Sequence, residues 1–119
     1  MNHPVRFLLV DDHPLFRQGL ASVIENVRRY SVTAEATTIS QALSLLESIE
    51  VDVALVDISL QQENGLELVK TLKATRPEIS CIVVSMYDEI IYASSALKAG
   101  AKGYVMKQEA ASSLLDAID

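Results

Sequence analysis

The chain has 119 residues, half of them apolar and 22% charged, with a formal net charge of −6. This length and apolar content suit one domain with a single core and exclude a disordered chain, and the acidic balance excludes a direct electrostatic grip on DNA or RNA. The apolar stretches are strand-sized, far short of a bilayer span, and the first residues carry no basic-plus-apolar signal pattern, so a soluble, cytoplasmic protein away from membranes is expected.

In chain order, short apolar runs alternate with longer stretches of helical period, the pattern of βα units around a parallel sheet. A strand is expected near 5–10, where Phe7-Leu8-Leu9-Val10 runs into Asp11-Asp12. A helix follows near 14–28, with Pro14 at its start and Phe16, Leu20, Val23, Ile24 and Val27 on one face. The second strand, near 31–36 with Tyr30 a candidate for its start, alternates polar Ser31, Thr33 and Glu35 with Val32, Ala34 and Ala36, which suits an edge position. The second helix, near 39–49, opens with Thr38 and Gln41 spaced as a capping box and turns Ala42, Leu45, Leu46 and Ile49 inward.

The third strand, near 52–56, is the run Val53-Ala54-Leu55-Val56 ending on Asp57. A loop leads from it to a helix near 65–75, with Leu66, Val69 and Leu72 on one side and Pro77 blocking continuation. The fourth strand, near 80–85, holds the lone Cys81, read as a buried strand residue, and ends on Ser85. A helix near 88–99 leads through Gly100 and Gly103, suited to a helix end and a tight turn, to the strand near 103–106; Lys107 ends that strand, and a short helix near 111–119 follows. Right-handed crossovers then favour an α/β fold: a flavodoxin-like, doubly wound, five-stranded parallel sheet in the order 2-1-3-4-5, with helices on both faces.

In such a sheet the carboxyl ends of the strands share an edge, and ligands bind where the winding reverses, between the first and third strands. Asp11, Asp12, Asp57, Ser85 and Lys107 would meet there. Three carboxylates so close repel by roughly 4 kcal/mol per pair at an effective dielectric of about 20, and a divalent cation plus the lysine would compensate. Magnesium, a hard ion that keeps several waters, suits Asp11 and Asp12 with a further ligand from the Ser59 carbonyl. Asp57 is read as a nucleophile toward phosphorus, Ser85 as a hydroxyl donor to a phosphoryl oxygen and Lys107 as the partner of Asp57 or its phosphate. Each residue alone has an ordinary alternative: a loop aspartate, an acidic helix cap, a loop serine, a surface lysine. The five together are far more specific. Tyr104, three residues before Lys107, is a half-buried aromatic beside the site or an ordinary strand residue. His13 is expected to cap or flank the first helix, and neither histidine has zinc spacing.

These motifs, with Gly65 opening a helix after Asp57 and Gly100-Ala101-Lys102-Gly103-Tyr104-Val105 before Lys107, resemble the receiver domain of two-component response regulators over essentially the whole chain. The stretch Val10-Asp11-Asp12-His13-Pro14-Leu15-Phe16-Arg17-Gln18-Gly19-Leu20 resembles the NarL/FixJ subfamily, whose members usually carry a LuxR-type helix-turn-helix domain after the receiver. The resemblance implies a signalling receiver rather than an enzyme. A histidine kinase would donate a phosphoryl group to Asp57; Mg2+ would be held by Asp11 or Asp12, Asp57 and the Ser59 carbonyl. Ser85 and Tyr104 would form the switch pair, with Lys107 on the phosphate. Homodimerisation on phosphorylation is a further expectation. Family members commonly have proline where Gln61 stands, which implies a more mobile loop here.

Residues 1–119 are read as this one domain, either a receiver separated from a longer regulator or a natural single-domain protein, with DNA contacted only through a helix-turn-helix domain beyond it. Two other readings have weaker support. A phosphatase using Asp57 would need a second aspartate where Ser59 stands. A flavin module would need phosphate-cradling loops in place of an acidic pocket.

Overall fold

A computed structural model of the chain describes residues 3–60, 63–85 and 90–107. The five long strands are β1 (Val5–Val10), β2 (Tyr30–Ala36), β3 (Val53–Asp57), β4 (Ser80–Ser85) and β5 (Gly103–Met106). Helices α1 (Pro14–Glu25), α2 (Ile39–Leu46), α3 (Gly65–Thr75) and α4 (Ile90–Ala99) connect them, and a two-residue ladder, Ser59–Leu60 with Glu63–Asn64, lies between β3 and α3. All pairings in the main sheet are parallel and the order is β2-β1-β3-β4-β5, as the crossover rule predicts.

The central strands are apolar throughout because both their faces are covered. Alternate residues divide them between two cores. Leu8, Val10, Ala54, Val56, Cys81 and Val83 pack with α2, α3 and α4, while Phe7, Leu9, Leu55, Ile82 and Val84 pack with Leu20 and Ile24 of α1. Each fully buried Leu, Val or Phe stabilises the fold by about 1.5–3 kcal/mol relative to leaving it in water. β2, at the edge, keeps the half-exposed alternating pattern read from its sequence. Tyr30 belongs to it and is buried edge-on against the Phe7 ring at 5.1 Å.

Two helices end about a turn earlier than their apolar period. In α1 the Val27 N–H bonds to the Ile24 carbonyl, and after α2 the Ser48 N–H bonds to the Leu45 carbonyl, both three residues back. The last turn of α1 tightens, while after α2 the Leu45 carbonyl also accepts the Ile49 N–H, four residues on; Val27 and Ile49 still pack half-buried on the cores, so the side-chain period outlasts the regular helix. The Thr38 hydroxyl caps α2 by accepting from the Gln41 N–H at 3.0 Å. The return bond goes from the Thr37 N–H to Gln41 Oε1, one residue earlier than a reciprocal box would place it. β3 starts one residue later than expected and includes Asp57, which pairs with Val84. The expected helix over 111–119, the start of the fourth helix at 88 and Gln61 lie outside the described residues.

Cys81 is a buried free thiol, and burial pushes its pKa up to about 11. At the amino-terminal rim of the sheet, opposite the strand ends discussed below, Asp52 accepts from the Arg6 N–H at 2.8 Å and from its guanidinium at 3.0 and 3.1 Å. That bidentate pair holds the Asp52 carboxyl below its ordinary range and ties β1 to the start of β3.

Candidate functional site

The register Val10↔Val56, Asp57↔Val84 and Ser85↔Met106 brings four strand ends to one rim. β1 hands the chain to Asp11, whose N–H donates to the Ala36 carbonyl at 2.9 Å and whose carboxylate is almost fully buried. Asp11 Oδ1 accepts the His13 N–H at 2.7 Å, a short aspartate turn that directs the chain into α1. Arg17 braces the turn, donating from Nη1 to the Asp11 carbonyl at 2.7 Å and from Nε to Glu35 Oε1 at 2.8 Å.

Asp57 ends β3 with 1% exposure. Behind it, Gly65 is fixed by close approach. Its N–H donates to the Ile58 carbonyl at 3.0 Å, and a Cβ on it would collide with the Asp57 carbonyl oxygen. The Asn64 side chain caps α3 through the Leu66 N–H, and Glu63 Oε1 accepts the Ile39 N–H at 3.0 Å, so the β3–α3 connection also caps α2.

Lys107, just past β5, reaches across the rim. Its ammonium lies 3.0 Å from Asp57 Oδ2 and 3.1 Å from Asp11 Oδ2, and 4.6 Å from the centre of the Phe16 ring, with the side chain only 10% exposed. The aromatic face and the two carboxylates together hold the cation in place.

Asp11, Asp12, Asp57 and Lys107 are therefore brought together as the sequence predicts. Ser85 is fully buried at the end of β4. By strand alternation it lies on the same face of the sheet as Tyr104, which is half-buried against the core shared by α2, α3 and α4. Ser59 stands two residues beyond Asp57, in the short ladder.

His13 is the member that sequence reasoning missed. It does occupy the N-cap position of α1, but its side chain makes no capping bond. Instead Nδ1 lies 3.0 Å from Asp11 Oδ1, 3.2 Å from Asp12 Oδ1 and 3.3 Å from Asp57 Oδ2. The available signal was the unbroken polar triplet Asp11-Asp12-His13 filling the whole turn between β1 and Pro14.

Among the described residues, three carboxylates gather at this rim beside the Lys107 ammonium, which pairs with two of them, so negative charge is in excess there. Ligand atoms of Asp11, Asp12, His13 and Asp57 lie within 4.8 Å of one another. The three carboxylates of this set supply hard oxygens that fit a small divalent cation, and the acidity of the pocket disfavours a free phosphate.

Among proteins of known sequence, the transcriptional regulatory protein DegU of Brevibacillus brevis is 32% identical over 114 residues, covering 96% of this chain and 48% of DegU. The nitrate/nitrite response regulator NarL of Escherichia coli K12 is 35% identical over 117 residues, covering 97% of this chain and 53% of NarL. The chain thus spans about half the length of these relatives. Among solved structures, a response regulator from Burkholderia pseudomallei, determined with a phosphorylated aspartic acid, a calcium ion and citrate, superposes with a TM-score of 0.85 at 32% identity, covering 96% of this chain and 66% of that one. With a sequence model of the response regulator receiver domain matching residues 7–119, the chain belongs to the response regulator receiver domain family.

Proposed function

We propose that this domain accepts a phosphoryl group on Asp57 from the phosphohistidine of a histidine kinase and uses it to change conformation. The observation that carries this reading is the buried Asp57 carboxylate held by Lys107 at 3.0 Å beside two further aspartates. A buried carboxylate with a fixed cation is an oriented nucleophile. Its oxygen bonds to phosphorus as the P–N bond breaks and the kinase imidazole leaves with the electron pair.

Asp11 and Asp12, with Asp57 and the Ser59 carbonyl, would hold Mg2+, which when bound neutralises charge on the phosphoryl oxygens. Lys107 supplies a second, fixed positive charge to the same oxygens. The Ser85 hydroxyl, at the neighbouring strand end, donates to the phosphoryl group. Tyr104, on the same sheet face, repacks as the β4 end shifts, altering the surface around α4 and β5.

Moving such a switch from 1:99 to 99:1 requires about 5.5 kcal/mol of preference for one state. Two or three charge-assisted hydrogen bonds at about 1.5–3 kcal/mol each supply it. The output is control of transcription, as the relatives' names suggest, through a DNA-binding domain and by homodimerisation, in the cytoplasm. No described helix is long and apolar enough to cross a membrane.

The test is incubation with Mg2+ and acetyl phosphate followed by intact mass measurement. One added phosphoryl group on the wild type and none on Asp57→Asn is expected. An unmodified wild type, or equal labelling of the variant, contradicts the proposal.

A further inference from the structure

His13 Nδ1 occupies the point on which the three carboxylates converge, and Lys107 Nζ also approaches it, at 2.9 Å. An ammonium only donates and a carboxylate only accepts, so no single protonation state of the ring satisfies both kinds of neighbour. A divalent cation among these groups takes lone pairs from imidazole and carboxylates alike. Neither burial nor capping explains the ring's placement: its side chain is 47% exposed, and the helix gains no cap bond from it.

We infer that His13 is a ligand of the divalent-ion pocket and sets its selectivity, so that the site takes Mn2+ and other nitrogen-accepting first-row ions in preference to Mg2+. The inference rests on the reading of the pocket given above. Mg2+ demands oxygen ligands in near-ideal octahedral geometry and gains little from an imidazole. Mn2+ accepts carboxylate and imidazole together, and affinity at nitrogen-containing sites rises from it along the first row. The aspartates therefore provide the charge that any divalent ion needs, and His13 provides the discrimination. The ring belongs to the same three-residue turn as Asp11 and Asp12, and Arg17 braces that turn, so the nitrogen is presented at little conformational expense.

The experiment titrates chelator-treated protein with MgCl2 or MnCl2 alone, by calorimetry at about pH 8, above the ordinary imidazole range. Wild type, His13→Ala and His13→Gln are compared. Wild type should bind Mn2+ more tightly than Mg2+. Both variants should lose at least about tenfold in Mn2+ affinity while Mg2+ affinity changes by less than about threefold. Spin-echo spectra of the Mn2+-loaded wild type should show coupling to an imidazole nitrogen; the coupling should persist in His3→Ala, which removes the only other histidine. This reading needs no variant of residue 13 to fold.

Equal losses for both ions, tighter Mn2+ binding in the variants or no nitrogen coupling would overturn the inference while leaving the pocket reading intact. A wild type that binds neither ion would overturn both.

Discussion

Lys107 and Asp57, fifty residues apart in sequence, form an ion pair of 3.0 Å between the ends of β5 and β3, and the same ammonium lies 3.1 Å from Asp11. One cation thus offsets the repulsion between two buried carboxylates, and its removal has a definite thermodynamic consequence. In metal-free buffer, Lys107→Met should lower stability by about 3 kcal/mol, because two buried charges lose their partner. Adding Asp57→Asn to that variant should restore much of the loss. Denaturant unfolding of the single and double variants checks this, and strictly additive losses would show that the pair is not coupled.

Gly65→Ala tests how tightly the backbone is packed behind the acceptor. The added methyl meets the Asp57 carbonyl oxygen and approaches the Val56 side chain, neither of which is the free end of a flexible chain. A loss of about 3 kcal/mol or more in a thermal or denaturant melt is expected. Gly100→Ala should also cost about 2 kcal/mol or more, because φ is 114°, a conformation L side chains rarely adopt, and the added methyl would meet the stem of Lys73.

Cys81 gives an alkaline prediction. The folded thiol titrates at about 11 against an ordinary value of 9.0, because burial disfavours the thiolate. Its folded pKa is raised, so its contribution is fully present below pH 9 and is lost as pH rises toward 11. Wild type should therefore lose stability relative to Cys81→Ala across that window. Native protein should also resist thiol reagents at neutral pH and react only on unfolding.

Asp52 gives an acidic prediction of opposite sign. Its carboxyl is depressed below 3.8, chiefly by the Arg6 hydrogen bond, so its contribution is present above that value and is lost as pH falls through the depressed pKa. Arg6→Met should flatten the acid limb of the stability curve without changing phosphorylation, since the pair sits at the rim remote from Asp57. A changed labelling yield would contradict that separation.

Much of this was legible because parallel strands covered on both faces leave a continuous apolar run, and a polar residue that interrupts the run marks its carboxyl end. That logic located Asp11, Asp57, Ser85 and Lys107 and, with the handedness rule, the strand order. Helix ends were less legible. Val27 and Ile49 keep the apolar period past the ends of the regular helices, where three-residue hydrogen bonds enter, so the side-chain pattern overstates the helices. The Glu63 cap on α2 joins segments distant in sequence, and no local pattern encodes it. His13 was hidden for a related reason. A residue before a proline at a helix start reads as a cap, and only the three-dimensional convergence of β1 and β3 gives its ring another occupation.

The central claim, that Asp57 is the phosphoryl acceptor, is tested most directly by locating the modified atom. An acyl phosphate is reduced by borohydride to the corresponding alcohol, so phosphorylated, reduced and digested protein should yield homoserine at position 57 and aspartate at positions 11 and 12. Homoserine at another position, or a labelled protein that resists reduction altogether, would contradict the account.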